Sequence, residues 1–155
     1  MAAAAICECR LKTARRKLEL KRRSGQSRLH MAKERPSRRR EILSLVQSLP
    51  VGSVVVSAPG SDRLARAVCW TAIMPMLIEN DVSDLRIEPI DGQQHQDRHD
   101  IREALTKIDA VGKIRYQHQG HRDEPLLWVA DAVVWAAGAG GDWARRITTR
   151  LIDAT

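Results

Sequence analysis

Val51-Gly52-Ser53-Val54-Val55-Val56-Ser57-Ala58-Pro59-Gly60-Ser61-Asp62-Arg63-Leu64 is the stretch whose reading decides the fold class. Three consecutive valines sit between Pro50-Val51-Gly52 and Pro59-Gly60. β-branched residues bounded by breakers predict a strand over 51–58. Ser61 then stands at the start of a helix expected over 62–80, where a short hydroxyl side chain suits the N-cap. Pro75 inside that helix should kink it or end its first segment, because proline has no N–H to donate. A buried strand leading straight into a helix is the unit from which layered α/β domains are built.

Working outward, the same alternation continues on both sides. Ala2–Cys7 reads as a short strand, and Arg10–Arg23 as a helix with Leu11, Ala14 and Leu18 near helical spacing. Ser24-Gly25-Gln26 ends it, and 28–31 reads as a brief strand. Pro36 opens a second helix through about Leu49, with Ile42, Leu45, Val46 and Leu49 forming one apolar stripe. Beyond the central helix come a strand over 85–90, a polar loop over 91–96, a helix over 97–108 and a strand over 113–118. A strongly apolar helix over 124–138 and a last helix over about 142–152 complete the expectation. This is an α/β fold with some parallel pairing, in one domain covering 1–155.

Composition bounds what such a domain does. Hydrophobic residues make up 43% of 155, enough for a core, but with four Trp, one Tyr and no Phe that core rests on Leu, Ile, Val and Ala. Cys7, Cys9 and Cys69 have no metal-like pairing and read as buried free thiols of a reducing cytosol. No stretch approaches the roughly 20 apolar residues of a membrane helix, so a cytoplasmic protein with no membrane partner is expected. Sequence does not set its oligomeric state. The net charge of +7 is uneven: residues 1–50 hold 14 Lys/Arg against 4 Asp/Glu, and the rest hold 12 against 15. A basic front half points either to a polyanion such as nucleic acid or to a solvated basic surface.

Four clusters could carry chemistry. Between Pro125 and Gly141, Asp131 is the one charged or strongly polar side chain, and it shares a helical face with Trp128 and Trp135. A carboxylate there must meet a cation, a donor cluster, a metal ion or a wet cleft. Glu88 and Asp91 flank Pro89 at the end of a strand, where α/β sheets place their sites, although acids are also common turn formers. His95 and His99 have the one-turn spacing of zinc ligands but lack an obvious third; a polar loop with a charged first turn is the simpler reading. Finally, His30, Lys33 and Glu34 precede the run Arg38-Arg39-Arg40, where each cation could neutralise one phosphate. No aromatic residue interleaves with that run, so single-strand stacking is not indicated.

In order along the chain, these pieces resemble a known family. They are Gly25-Gln26-Ser27-Arg28-Leu29-His30 with Lys33-Glu34, Arg38-Arg39-Arg40-Glu41-Ile42-Leu43, Leu85-Arg86-Ile87-Glu88, Gln96-Asp97-Arg98, and Glu124-Pro125-Leu126-Leu127-Trp128-Val129-Ala130-Asp131. The family is the ribonuclease H-like proteins grouped as domain of unknown function thirty-eight hundred, in particular their short actinobacterial-type relatives. The resemblance implies a ribonuclease H-like mixed sheet flanked by helices and a metal-dependent nuclease hydrolysing phosphodiesters. It implies Mg²⁺ or Mn²⁺ held by Asp131 on the late helix with Glu88, or Asp91 in its place, from a strand end. Glu34 is a looser catalytic candidate; Lys33, Arg38, Arg39 and Arg40 would contact nucleic acid. The family's opening strand carries a first acidic ligand, whereas this chain starts at what reads as the second strand. The expectation is a domain N-terminally truncated relative to the family, and three explanations stand open: a start placed late, a truncated gene, or a nuclease inactive because that first Asp is absent. The alternative is a non-catalytic nucleic-acid-binding or accessory protein using the basic front half.

Overall fold

The structure, a computed structural model, describes residues 1–6 and 8–154, with the backbone alone at 2–6 and 8. Helices hold 54% of the chain and strands 13%, so the fold is mixed α/β with helix packing supplying most of the core. In chain order the elements are β1 (Ala2–Ile6), α1 (Leu11–Lys21), α2 (Pro36–Ser48), β2 (Val51–Ser57), α3 (Asp62–Glu79), β3 (Asp84–Ile87), α4 (Gln94–Lys107), β4 (Arg115–His118), α5 (Leu126–Ala139), α6 (Gly141–Arg145) and β5 (Arg150–Asp153). The strands form two sheets rather than one, a three-stranded sheet in the order β1-β2-β5 and the pair β3-β4. The chain divides into two compact units: Met1, 56–120 and 151–155 in the first, and 2–55 with 121–150 in the second.

In the second unit β1 pairs antiparallel with β2, Ala2 opposite Val55 and Ile6 opposite Val51. Its core joins Ala14 and Leu18 of α1 with Ile42, Leu43 and Val46 of α2 and Trp128, Val129, Ala132, Val133 and Ala136 of α5. The apolar run of α5 is explained by this burial, since α5 packs against α1, α2 and β1 together. Glu124 fastens its start. That side chain is 2% exposed, accepts from Arg15 Nε at 3.1 Å and Nη2 at 2.6 Å, and takes the Leu126 N–H at 3.1 Å. One buried carboxylate thus neutralises a cation and satisfies one of the helix's unpaired amides.

The first unit packs α3 against α4 and pairs β3 with β4 in parallel, Asp84 opposite Arg115 and Ile87 opposite His118. Cys69, Trp70, Ile73, Met74 and Leu77 of α3 are buried, as are Ile101, Ala104 and Leu105 of α4. Both helices end in the same way. Asp81 and Asp109 take left-handed backbone, with φ of 54° and 52°. Val82 N–H then reaches Leu77 C=O and Ala110 N–H reaches Leu105 C=O, each at 2.9 Å. These are Schellman caps with aspartate where glycine is usual.

Several local expectations give way. The segment 28–31 is not a strand: Leu29 and Met31 alternate because both enter the core, and a single 3-10 turn spans Met31–Lys33. Helix α3 does not end at Pro75 but continues to Glu79, losing only the one bond that the proline N–H would have given. The expected last helix stops at Arg145, and 150–153 is a strand beside β2, a non-local pairing that follows the β-branched Ile147-Thr148-Thr149. Cys69 is a buried thiol, but Cys9 is exposed, and Cys7 lies outside the described residues.

Candidate functional site

Asp131 stands on α5 with its side chain 30% exposed, while Ala132 and Val133 beside it are buried. The helical face it occupies is anchored on either side. Trp128 donates its indole N–H to the His121 carbonyl at 2.7 Å, and Trp135 lies under the Arg39 guanidinium, whose Cζ is 4.7 Å from the ring centre. His30 approaches from the loop after α1, with Nδ1 4.0 Å from Asp131 Oδ2. That separation is too long for a hydrogen bond, so the pair is an electrostatic one whenever the imidazole is protonated.

Glu34, in the same unit, is buried at 6% exposure, and its Oε1 accepts from Gln26 Nε2 at 2.9 Å. This hydrogen bond ties the end of the 3-10 turn to the loop that follows α1. Arg38 and Arg39 also face inward. Arg38 is 9% exposed, donates to Glu41 at 2.8 Å and bonds the Lys21 carbonyl. Arg39 donates to the Met31 and Ala32 carbonyls at 2.9 and 3.0 Å. Lys33 and Arg40 are exposed to solvent.

Glu88 and Asp91 belong to the first unit, where both are exposed just past the end of β3. Pro89 follows the break in the strand, which ends at Ile87. His95 is exposed and lies on α4, which starts at Gln94, rather than in the expected loop; His99, 59% exposed, has Glu103 at 4.0 Å. Among the described residues no group of three or more His, Cys, Asp or Glu converges to hold a metal ion. A divalent ion of the magnesium kind takes oxygen ligands in a near-octahedral set. Asp131 and His30 offer one carboxylate and one imidazole, and Glu34 already serves Gln26, so the described residues around Asp131 do not fit such an ion.

The most concentrated polar cluster escaped the sequence reading, which took Asp97 for a helix-terminal acid. Asp97 is 1% exposed and accepts from Arg66 Nε at 2.5 Å and Nη2 at 2.9 Å, from Trp70 Nε1 at 3.1 Å and from His118 Nε2 at 2.9 Å. Burial pushes its carboxyl up, but the hydrogen bonds from Arg66, His118 and Trp70, with the Arg66 charge, outweigh burial and hold it below the usual range. An ionised carboxylate only accepts, so His118 carries its proton on Nε2. With its side chain 7% exposed, this imidazole is out of reach of a substrate, and the cluster is a polar anchor joining α3, α4 and β4. The i, i+4 spacing of Arg66 and Trp70 on α3 is the one sequence signal that could have paired them.

Comparison with protein-family models, with curated proteins and with solved structures returns no match for this chain.

Proposed function

We propose that this chain acts on nucleic acid as a ribonuclease H-like domain, a nuclease of the metal-dependent class whose phosphodiester chemistry centres on Asp131. The observation that carries the reading is a partly exposed carboxylate on an apolar helix, with an imidazole 4.0 Å away. Such a group is costly to keep inside an apolar helix, and this one stays partly exposed to solvent. In the resemblance that supports this reading, Asp131 is the late-helix acid that holds Mg²⁺ or Mn²⁺. The described residues do not complete an ion site; Asp131 contributes negative charge and a proton acceptor, and His30 a second group able to move a proton. Glu88, Asp91 and Glu34 remain the further acids this reading names.

Non-catalytic nucleic-acid binding is the second reading, favoured by the exposed cations of the second unit. Lys12, Arg16 and Lys17 on α1, with Lys33 and Arg40, all face solvent. A titration of Mg²⁺ or Mn²⁺ with a mixed RNA and DNA substrate, run on the chain and on Asp131→Asn, tests both. Metal-dependent cleavage that disappears in the variant supports the nuclease. Salt-sensitive binding without cleavage, equal in both proteins, supports the binding module. Neither cleavage nor binding would remove both.

A further inference from the structure

The fold brings the basic run and two tryptophans together across 96 positions of sequence, reversing the expectation that no aromatic accompanies it. Arg39 lies over Trp135; Trp135 meets Trp143 edge to face, with ring centres 5.4 Å apart at 69°. Arg146 flanks Trp143 with Cζ at 6.0 Å. Both rings are half-buried, packed on the core of the second unit at one side and open at the other. Arg145, 74% exposed, and Arg146 share Asp142, at 3.9 and 2.8 Å, and Arg40 is close enough to act on the same carboxylate. Four guanidinium groups therefore stand with two indoles and one acid on a single surface.

We propose that this surface binds a single-stranded nucleic-acid segment, stacking a base on Trp143 and holding the adjoining phosphates with Arg40, Arg145 and Arg146. Aromatic rings set in a positive groove are what single strands require, because an unpaired base offers a π-face that a duplex conceals. Arg146 sits at the outer limit of a cation–π contact, so it is the side chain a base displaces most cheaply. Its guanidinium then turns to phosphate, which competes with Asp142 for the same donors. Arg39 is held by two carbonyls and keeps Trp135 in place. This inference deepens the nucleic-acid reading above and rests on it.

The test is fluorescence anisotropy of labelled single-stranded oligo-dT, oligo-U and a duplex of equal length, measured in EDTA so that no hydrolysis intervenes. Single strands should bind more tightly than the duplex, and the dT and U arms report DNA or RNA preference. Trp143→Ala should weaken single-strand binding about tenfold or more, while Trp143→Phe retains most of it. Arg40→Ala with Arg145→Ala, both at exposed positions, should flatten the salt dependence by roughly one to two phosphate contacts. A duplex bound as tightly as the single strands, or single-strand binding untouched in Trp143→Ala, would overturn the proposal. Should that occur while Asp131-dependent cleavage persists, the nuclease reading survives alone; single-strand binding without cleavage leaves this surface and removes the nuclease.

Discussion

The Arg66 guanidinium grips Asp97 with two parallel hydrogen bonds, Nε to Oδ1 at 2.5 Å and Nη2 to Oδ2 at 2.9 Å, and the carboxylate is 1% exposed. Removing one member of a buried pair leaves the other charged in a poor solvent, which costs more than the pair itself contributes. Arg66→Met should destabilise the fold by about 3 kcal/mol, at the lower end of the usual range because Trp70 and His118 still donate to Asp97. Urea unfolding with an unchanged m-value checks this. A loss below about 0.5 kcal/mol would show the pair to be no better than a surface one.

The same carboxylate fixes an acid dependence. Its folded-state value lies below the unfolded one, so its contribution is fully present above about pH 4 and is lost as pH falls through the depressed value. Melting temperature should therefore drop on acidification below about pH 4. The drop should be shallower in Asp97→Asn, which starts less stable at neutral pH. Thermal melts from pH 2 to 7 compare the two slopes, and parallel curves would rule Asp97 out as a source.

Glu124 supports a third prediction. Glu124→Ala strands the Arg15 guanidinium and the Leu126 amide at once, and about 2–4 kcal/mol should be lost. Glu124→Gln keeps an acceptor for the amide and should lose roughly half as much. Equal losses in the two variants, read by denaturant midpoints, would mean that the charge alone matters.

What was legible in the sequence follows from how local each cause is. The valine strand and the helices at 11–21, 36–48 and 62–79 rest on propensity, breakers and apolar spacing within a short window. The stripe of α2 shows the limit of that view: Ile42, Val46 and Leu49 are buried as expected, but Leu43 is fully buried and Leu45 only partly, because the packing partners decide where the buried face ends. Asp97 read as a helix-terminal acid since its partners lie 31, 27 and 21 residues away. Strand β5 depends on the edge of β2, and Arg39 meets Trp135 only in three dimensions. Asp131 stands out in the sequence as an anomalous charge, since a lone carboxylate within an apolar run is visible from the run itself. Its pairing with His30 was not visible, because nothing local links a loop after α1 to α5.

The two aspartate caps offer a gain rather than a loss. Asp81 and Asp109 hold φ near 50°, a region in which a side chain crowds the backbone and glycine does not. The cap hydrogen bonds, Asp81 N–H to Ile78 C=O at 3.0 Å and Asp109 N–H to Thr106 C=O at 3.2 Å, come from the backbone and survive substitution. Glycine also widens the unfolded ensemble, which offsets part of the relief. The strain term is the larger at a left-handed position, so Asp81→Gly and Asp109→Gly should each stabilise by about 0.5–1 kcal/mol. Because the two caps close different helices, their effects should add within about 0.5 kcal/mol. Thermal unfolding of the single and double variants tests both statements, and a destabilised double variant would mean that the aspartate side chains hold these turns themselves.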